Sequence, residues 1–509
     1  MKRRSMLGLI AAPAFVRAET SRPKISHGVQ SGDPAVDSGL LWVRGDRASR
    51  MCIEVASDEN FSRILQKIRG PHLLESSDFT ARHVLTDLPA GADLHYRITL
   101  EDLSEGRSLS EPAAGHFKTA SSKPRNIRFL WSGDMVGQGY GINPDLGGIP
   151  IFKTMLGRQP DFFLHSGDTI YADGPLEASW KPPEGGVWRN VVTEAKSKVA
   201  ESLGDFRGCY QYNLLDENVR RFNSQVCQVW QWDDHEVLNN WSPGKDLSKN
   251  ALYHEKSISL LSARAGQAFR EYAPMRLNPV ENERVYRKIS YGPLLDVFLI
   301  DMRSYRAANG PNREEKEGPA TTYLGAEQRA WLKSELKASS ASWKVIASDM
   351  PIGLLVGDGK DAQGQNIFEA VANGPGPALG RELEIADLLR YMKQQKIRNT
   401  VWLTADVHYT AAHHYQPSKA QFTDFDPFWE FVSGPLNAGC FGPGVTDPTF
   451  GIEVVYAKAP DKGKANLSPA TGYQFFGEVE IDAATQKLSV TLRDLKGDSL
   501  FRKTLEKVS

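Results

Sequence analysis

From residue 24 to about 120, apolar and polar residues alternate in short runs, over 39–44, 51–56, 80–85, 94–100 and 116–119. Turn residues such as Leu88-Pro89-Ala90-Gly91 separate them. Alternation with period two sends one face of each run into a core, and short strands at this spacing predict a small all-β sandwich of the fibronectin or immunoglobulin kind. Ser121-Ser122-Lys123-Pro124 reads as a linker. From Arg125 the pattern changes: runs over 127–132, 162–165, 226–231, 296–300, 343–347 and 399–404 are compact and mostly apolar. Such runs suit strands buried on both faces. Between them, Leu383, Ile385, Leu388, Leu389 and Met392 recur at helical spacing within 381–397, with a weaker repeat over 326–336. Strands alternating with helices predict an α/β layer structure. Residues 472–481 and 487–493 return to strand pattern and predict a meander packing back on this domain. The expected organisation is therefore a β-sandwich over 24–120 and a catalytic domain over 125–509 that ends in a β-meander.

Composition narrows the function classes. The 61 Lys and Arg nearly cancel the 62 Asp and Glu, leaving a formal charge of −1. A specific nucleic-acid partner would call for a basic excess. The chain opens Lys2-Arg3-Arg4-Ser5-Met6-Leu7, continues with an apolar stretch over 8–16, and reaches Val16-Arg17-Ala18. A basic start, a short apolar stretch and a small-residue cut site form the layout of an export signal over 1–18, and the paired arginines favour its twin-arginine variant. The expected partner is then the twin-arginine export machinery, and the expected location is periplasmic or extracellular. No later apolar run approaches the roughly 20 residues that span a bilayer, so no stable membrane anchor is expected. Cys52, Cys209, Cys227 and Cys440 are scattered, with no C-x-x-C pair. Cys209 and Cys227 can form one bridge or stay as buried thiols.

The chemistry gathers where the apolar strands end. The first is followed by Gly133-Asp134, the second by Gly167-Asp168-Thr169-Ile170-Tyr171-Ala172-Asp173 and the third by Trp232-Asp233-Asp234-His235-Glu236 with Asn239-Asn240 beyond. The run over 399–404 is followed by Ala405-Asp406-Val407-His408. Alone, a Gly-Asp after a strand is a turn or a helix cap. Four acidic strand ends in one chain are another matter, because ligands in open α/β sheets sit beyond the carboxyl ends of the strands. Carboxylates converging there repel one another unless cations lie between them.

These motifs resemble the calcineurin-like metallophosphatases and, more closely, the alkaline phosphatase D (PhoD-like) family. The resemblance rests on Gly167-Asp168-x-x-Tyr171, on Trp232-Asp233-Asp234-His235-Glu236-x-x-Asn239-Asn240-Trp241, on Thr404-Ala405-Asp406-Val407-His408 and on Asp301-Met302-Arg303-Ser304-Tyr305-Arg306. It implies a metallophosphatase-like four-layer sandwich and metal-dependent hydrolysis of phosphate esters, small-molecule, lipid or polymeric. It implies Asp168 as the carboxylate bridging two metals, with Asp134 and Tyr171 on the first and Asp234, or its neighbour Asp233, on the second. Asp406 and His408 complete the set, and Asp173 is a ligand, a supporting group or a loop cap. Gly133-Asp134 stands where some members carry Cys. The resulting hard, oxygen-rich set favours Fe³⁺ and Ca²⁺, with Mn²⁺ as an alternative, over Zn²⁺. His235 is the expected proton donor to the leaving group and Arg303 the expected phosphate clamp, oriented by Asp301, with Asn239 as a further substrate contact. Two alternatives stand beside this reading: a phosphodiesterase or phospholipase D-like hydrolase, and a catalytically dead exported binding protein.

Overall fold

The structure, a computed structural model, describes residues 22–104, 107–374 and 376–508; the export-signal reading over 1–18 lies outside the described residues. Two mixed sheets dominate. The larger has nine strands in the order Ser499–Leu505, Leu488–Asp494, Phe475–Ile481, Ile127–Ser132, Phe162–Ser166, Cys227–Gln231, Ile25–Gly32, Gly39–Gly45 and Thr80–Leu85. The smaller has seven, Arg287–Ser290, Leu295–Leu299, Trp343–Ala347, Thr400–Thr404, Phe428–Val432, Thr410–Tyr415 and Ile452–Lys458. Ile127–Ser132, Phe162–Ser166 and Cys227–Gln231 run parallel, so their carboxyl ends open on the same edge. In the second sheet, Leu295–Leu299, Trp343–Ala347, Thr400–Thr404 and Phe428–Val432 are likewise parallel.

The continuous apolar character of these strands has a direct cause. Phe129 and Trp131 pack in one core with Val297, Leu299, Val345 and Leu403 of the other sheet. Their neighbour Leu130 points the opposite way, into a second core with Phe152 and Phe222 of the helices Ile151–Leu156 and Glu217–Gln225. On the far side of the smaller sheet, Phe298, Ile346 and Trp402 meet Leu332 and Leu388 of the helices Ala326–Ala338 and Glu382–Gln394. With both faces covered, no position on a central strand has to be polar.

The all-β leader is present, but its strands belong to two sheets. Ser49–Ala56 pairs with Ile64–Leu73 and Asp93–Asp102, and the latter with Ala113–Lys118, as a four-stranded sheet. Ile25–Gly32, Gly39–Gly45 and Thr80–Leu85 instead continue the nine-stranded sheet through the parallel pairing of Gly32 with Gln228. The joint needs glycine, because a side chain at Gly32 would sit 1.7 Å from the Pro274 carbonyl oxygen. Periodicity marks each strand but not its partner, so this shared sheet has no signal in the leader's own sequence. All four cysteines are free thiols, so Cys209 and Cys227 are not bridged. No helix among the described residues is long and apolar enough to cross a membrane.

Candidate metal centre

Four of the anticipated ligands sit on sharp turns just past the ends of parallel strands. Asp134, Asp168, Asp406 and His408 have φ of 65°, 50°, 65° and 57°. Left-handed backbone is uncommon for residues other than glycine, and clusters of it occur at functional sites. The turns are tied together: the Met135 amide donates to the Asp168 carbonyl at 2.9 Å and the Val136 amide to the Asn437 carbonyl at 2.7 Å. The buried carboxylate of Glu236 accepts from the amides of Thr169 at 2.6 Å and Asp233 at 2.8 Å, and from the Thr169 hydroxyl at 2.5 Å. Glu236 thereby locks the Asp168 loop to the Asp234 loop. Its place in the acidic motif was legible in the sequence; its job was not.

Among the described residues, potential ligand atoms assemble in three groups, each within 4.8 Å: Asp134, Asp168 and His408; Asp168, Asp234 and His235; and Asp233, Asp234 and Asp406. Asp168 belongs to the first two and Asp234 to the last two; Asp168 thus has the position expected of a bridging carboxylate. Both carboxylate oxygens of Asp134 and Oδ1 of Asp234 are buried without a hydrogen-bond partner. Buried unpaired carboxylates are costly, and bound cations remove that cost. Burial, reinforced by neighbouring carboxylates, pushes Asp134, Asp168 and Asp406 well above the usual carboxylate range. Burial acts on Asp234 too, but His235 and Arg303 outweigh it and bring the group down to about 2. Both the donor set and its charge fit metal ions.

Tyr171 donates or accepts at 2.7 Å with Nε2 of His408. Burial first, then Asp168 and Asp134, raise its phenol far above the ordinary value. Nδ1 of His408 bonds the Gly439 carbonyl, which leaves Nε2 as the lone-pair nitrogen facing Asp134 at 3.7 Å. Gly137 makes room for Tyr171, since a side chain there would lie 2.5 Å from the ring. The His235 ring lies 4.1 Å from that of Tyr171 between centroids, tilted by 33°. Nδ1 of His235 meets Asp173 Oδ1 at 2.6 Å, and Asp173 Oδ2 accepts from the Asn239 amide at 2.8 Å. Asp173 is therefore the group that orients the histidine. Burial pulls the imidazole down, but Asp173, Asp234 and Asp168 outweigh it and hold His235 protonated, well above its ordinary range.

Arg303 requires a correction. It has no exposed surface and lies next to the cleft, with Nε 2.5 Å from Asp233 and 3.3 Å from Asp349, and Nη1 2.8 Å from Glu369. A guanidinium with no exposed surface, absent from the cleft lining and within 3.9 Å of five carboxylates, Asp233, Asp234, Asp349, Glu369 and Asp406, is not free to clamp a substrate. Asp301 does not orient it through the guanidinium either, but accepts from the backbone amides of Arg303 and Ser304, both at 2.9 Å. Arg303 lies nearer Asp233, at 2.5 Å, than Asp234, at 3.9 Å, and both aspartates share a ligand group with Asp406. The cleft has a volume of about 330 Å³ and is lined by Asp168, Asp234, His235 and His408, by the exposed Asn239, and by Val356, Tyr409 and Phe441.

The family model described as PhoD-like phosphatase matches residues 129–492, and that of the PhoD-like phosphatase N-terminal domain matches 10–121. Alkaline phosphatase D of Bacillus subtilis is 29% identical over 457 residues, covering 84% of this chain and 71% of the relative. Among solved structures, one titled "Structure of PhoD" aligns with a TM-score of 0.69 at 22% identity, over 97% of this chain and 92% of its own. The purple acid phosphatase PPD1 from yellow lupin aligns with a TM-score of 0.54 at 12% identity, over 95% and 74% of the two chains. At these identities the two structures speak for the fold, and the family model, which covers most of the chain, speaks for the family. The chain belongs to the PhoD-like phosphatase family and is a phosphoric ester hydrolase.

Proposed function

We propose that this is an exported phosphate-ester hydrolase in which Asp134, Asp168, Tyr171, Asp234, Asp406 and His408 hold two or more metal ions. Fe³⁺ and Ca²⁺ suit the set best, with Mn²⁺ as the alternative, because hard oxygen donors predominate and a buried phenol ionises only beside a strong cation. The observation that carries the reading is Asp168 shared between two ligand groups whose neighbours Asp134 and Asp234 leave carboxylate oxygens unpartnered. The two large sheets with helices on their outer faces support the four-layer arrangement. The destination rests on the twin-arginine pattern of residues 1–18.

Bound ions of this kind supply Lewis-acid neutralisation of the phosphate charge and a water acidic enough to act as nucleophile. The protein's own groups do the rest. Asp173 holds Nδ1 of His235, so the imidazolium offers its Nε2 proton to the departing alcohol oxygen. Gly439 fixes the His408 tautomer, and the hydrogen bonds through Glu236 keep the two acidic loops in register. Asn239 at the mouth provides an amide for a phosphate oxygen. The complete set of site residues argues against a dead binding protein. A phosphodiesterase is the second reading: no Lys or Arg lines the cleft among the described residues, which suits a singly charged diester. The test is hydrolysis of p-nitrophenyl phosphate and bis-p-nitrophenyl phosphate, with metal content measured before and after chelation. Activity that survives complete loss of metal overturns the proposal. The ratio between the two substrates decides monoester against diester.

A further inference from the structure

Beside Asn239 and the acidic groups, the cleft lining has an apolar wall around His408, made of its chain neighbours Val407 and Tyr409 and of Phe441. The apolar wall is built into the fold. The Phe441 amide donates to the His408 carbonyl at 3.2 Å, and its ring lies 5.4 Å from the His408 imidazole. Tyr409 is buried behind it, and its hydroxyl accepts from the Gly444 amide at 3.1 Å. Gly442 has φ of 87°, and a side chain there would come within 2.5 Å of the Tyr409 ring. The 439–444 segment is thus wrapped closely onto Tyr409, and its backbone is tied to a residue that holds the metal side of the site. Phe441 is left half-buried in the lining of the cleft.

Resting on the proposed ester hydrolysis, we propose that Phe441 is a specificity-determining residue that receives an aromatic or aliphatic group of the substrate beside the phosphate. A rigid ring held at fixed distance from His408 gives such a group an apolar surface at little ordering cost. The volume of about 330 Å³ accommodates a phosphate with one group of ring size, near the small end of ligand pockets. A substrate whose phosphate carries only polyhydroxylated neighbours would leave that wall wet.

The experiment uses the metal-loaded protein and two phosphonates that present the same charged head, phenylphosphonate and methylphosphonate. Neither is hydrolysed, so leaving-group chemistry does not enter. Dissociation constants are measured by calorimetry, alongside inhibition of p-nitrophenyl phosphate hydrolysis. Phenylphosphonate is expected to bind the wild type about tenfold or more tighter. Phe441→Ala is expected to reduce that preference to within about twofold, and Phe441→Leu to an intermediate value. Metal content of each variant reports whether the His408 region is intact, and because the readout is a ratio of two ligands, general damage to the site cancels. Equal binding of the two phosphonates to the wild type, or a preference unchanged in Phe441→Ala, overturns the assignment while leaving ester hydrolysis standing. Binding of neither phosphonate together with no hydrolysis overturns both. A variant that loses its metal is replaced as the deciding case by Phe441→Leu, which keeps an apolar side chain on the same backbone.

Discussion

Two acidic clusters lie almost in contact, and they resolve the same electrostatic problem in opposite ways. Next to the cleft, Asp233, Asp349 and Glu369 surround Arg303, a cation the chain supplies itself. Beside the cleft, Asp134 and Asp234 leave carboxylate oxygens buried without a hydrogen-bond partner, and no lysine or arginine of the described residues enters the lining. The first cluster carries its cation within the chain; under the proposed function the second takes its cations from solution. A third arrangement, away from the site, uses a proton. Glu382 faces Asp447, and Glu382 Oε1 is buried without a partner. Burial, then Asp447, pushes the Glu382 carboxyl up to about 8. Counting acidic residues therefore does not find a metal site. What distinguishes it is how far the internal guanidinium stays from it: Arg303 comes no nearer than 3.6 Å to Asp406 and 3.9 Å to Asp234, against 2.5 Å to Asp233.

Variants can break each side of this comparison. Asp168→Asn removes the carboxylate shared by two ligand groups and is expected to cost about 10⁴-fold or more in kcat/KM, about 5 kcal/mol. Bound metal should fall with it, while the metal-free protein should unfold no earlier than wild type, because repulsion has been relieved. Metal analysis beside a thermal melt checks both. Arg303→Met makes the contrasting case, leaving Asp233, Asp349 and Glu369 buried without their cation. It is expected to destabilise the fold by about 3–5 kcal/mol in denaturant unfolding. Full stability with a selective rise in KM would instead restore Arg303 as a substrate contact.

Asp173→Asn addresses the junction between the clusters and the reacting proton. With one of its carboxylates gone, His235 holds its proton less tightly, so the alkaline limb of the kcat/KM profile moves to lower pH. The general-acid contribution falls by about 10²-fold. An unmoved limb separates His235 from the pH dependence. The smallest effect is expected at Glu382. A carboxyl whose folded pKa is raised from 4.5 to about 8 stabilises the fold fully below 4.5, and that stability is lost as pH rises through 8. Glu382→Gln should flatten that decline and be more stable than wild type at pH 9 by about 1–2 kcal/mol, with loop relaxation around Asp447 absorbing the remainder. Parallel melting curves from pH 5 to 9 that show no difference would place the proton elsewhere.

Much of the site was legible because its chemistry sits at strand ends, and strand ends are marked in one dimension. Apolar runs closing in Gly-Asp or Asp-Asp-His located Asp134, Asp168, Asp234, Asp406 and His408, and the structure brings all five together. Arg303 was legible as a strand-end residue but not in its role, because whether a guanidinium faces substrate or carboxylates depends on Asp349 and Glu369, both distant in sequence. Glu236 and Asp173 were visible as acidic residues beside the motifs, yet a clamp and an orienting group look alike until their donors are placed. The edge strand Ile452–Lys458 escaped notice because Val454 and Val455, adjacent in sequence, are both exposed, which breaks the alternation that marks a half-buried strand.

The sequence by itself determined the alternation of buried strands with helices and the residue types at each strand's carboxyl end. Those follow from local periodicity and from donor chemistry that travels with each residue. Only the tertiary structure decided that the leader's strands join the nine-stranded sheet, that Arg303 neutralises the cluster around it, and that an apolar wall lines the cleft around His408. Each of these depends on pairing or burial between segments far apart in the chain, and a carboxylate's partner is fixed by the groups packed around it rather than by its neighbours in sequence.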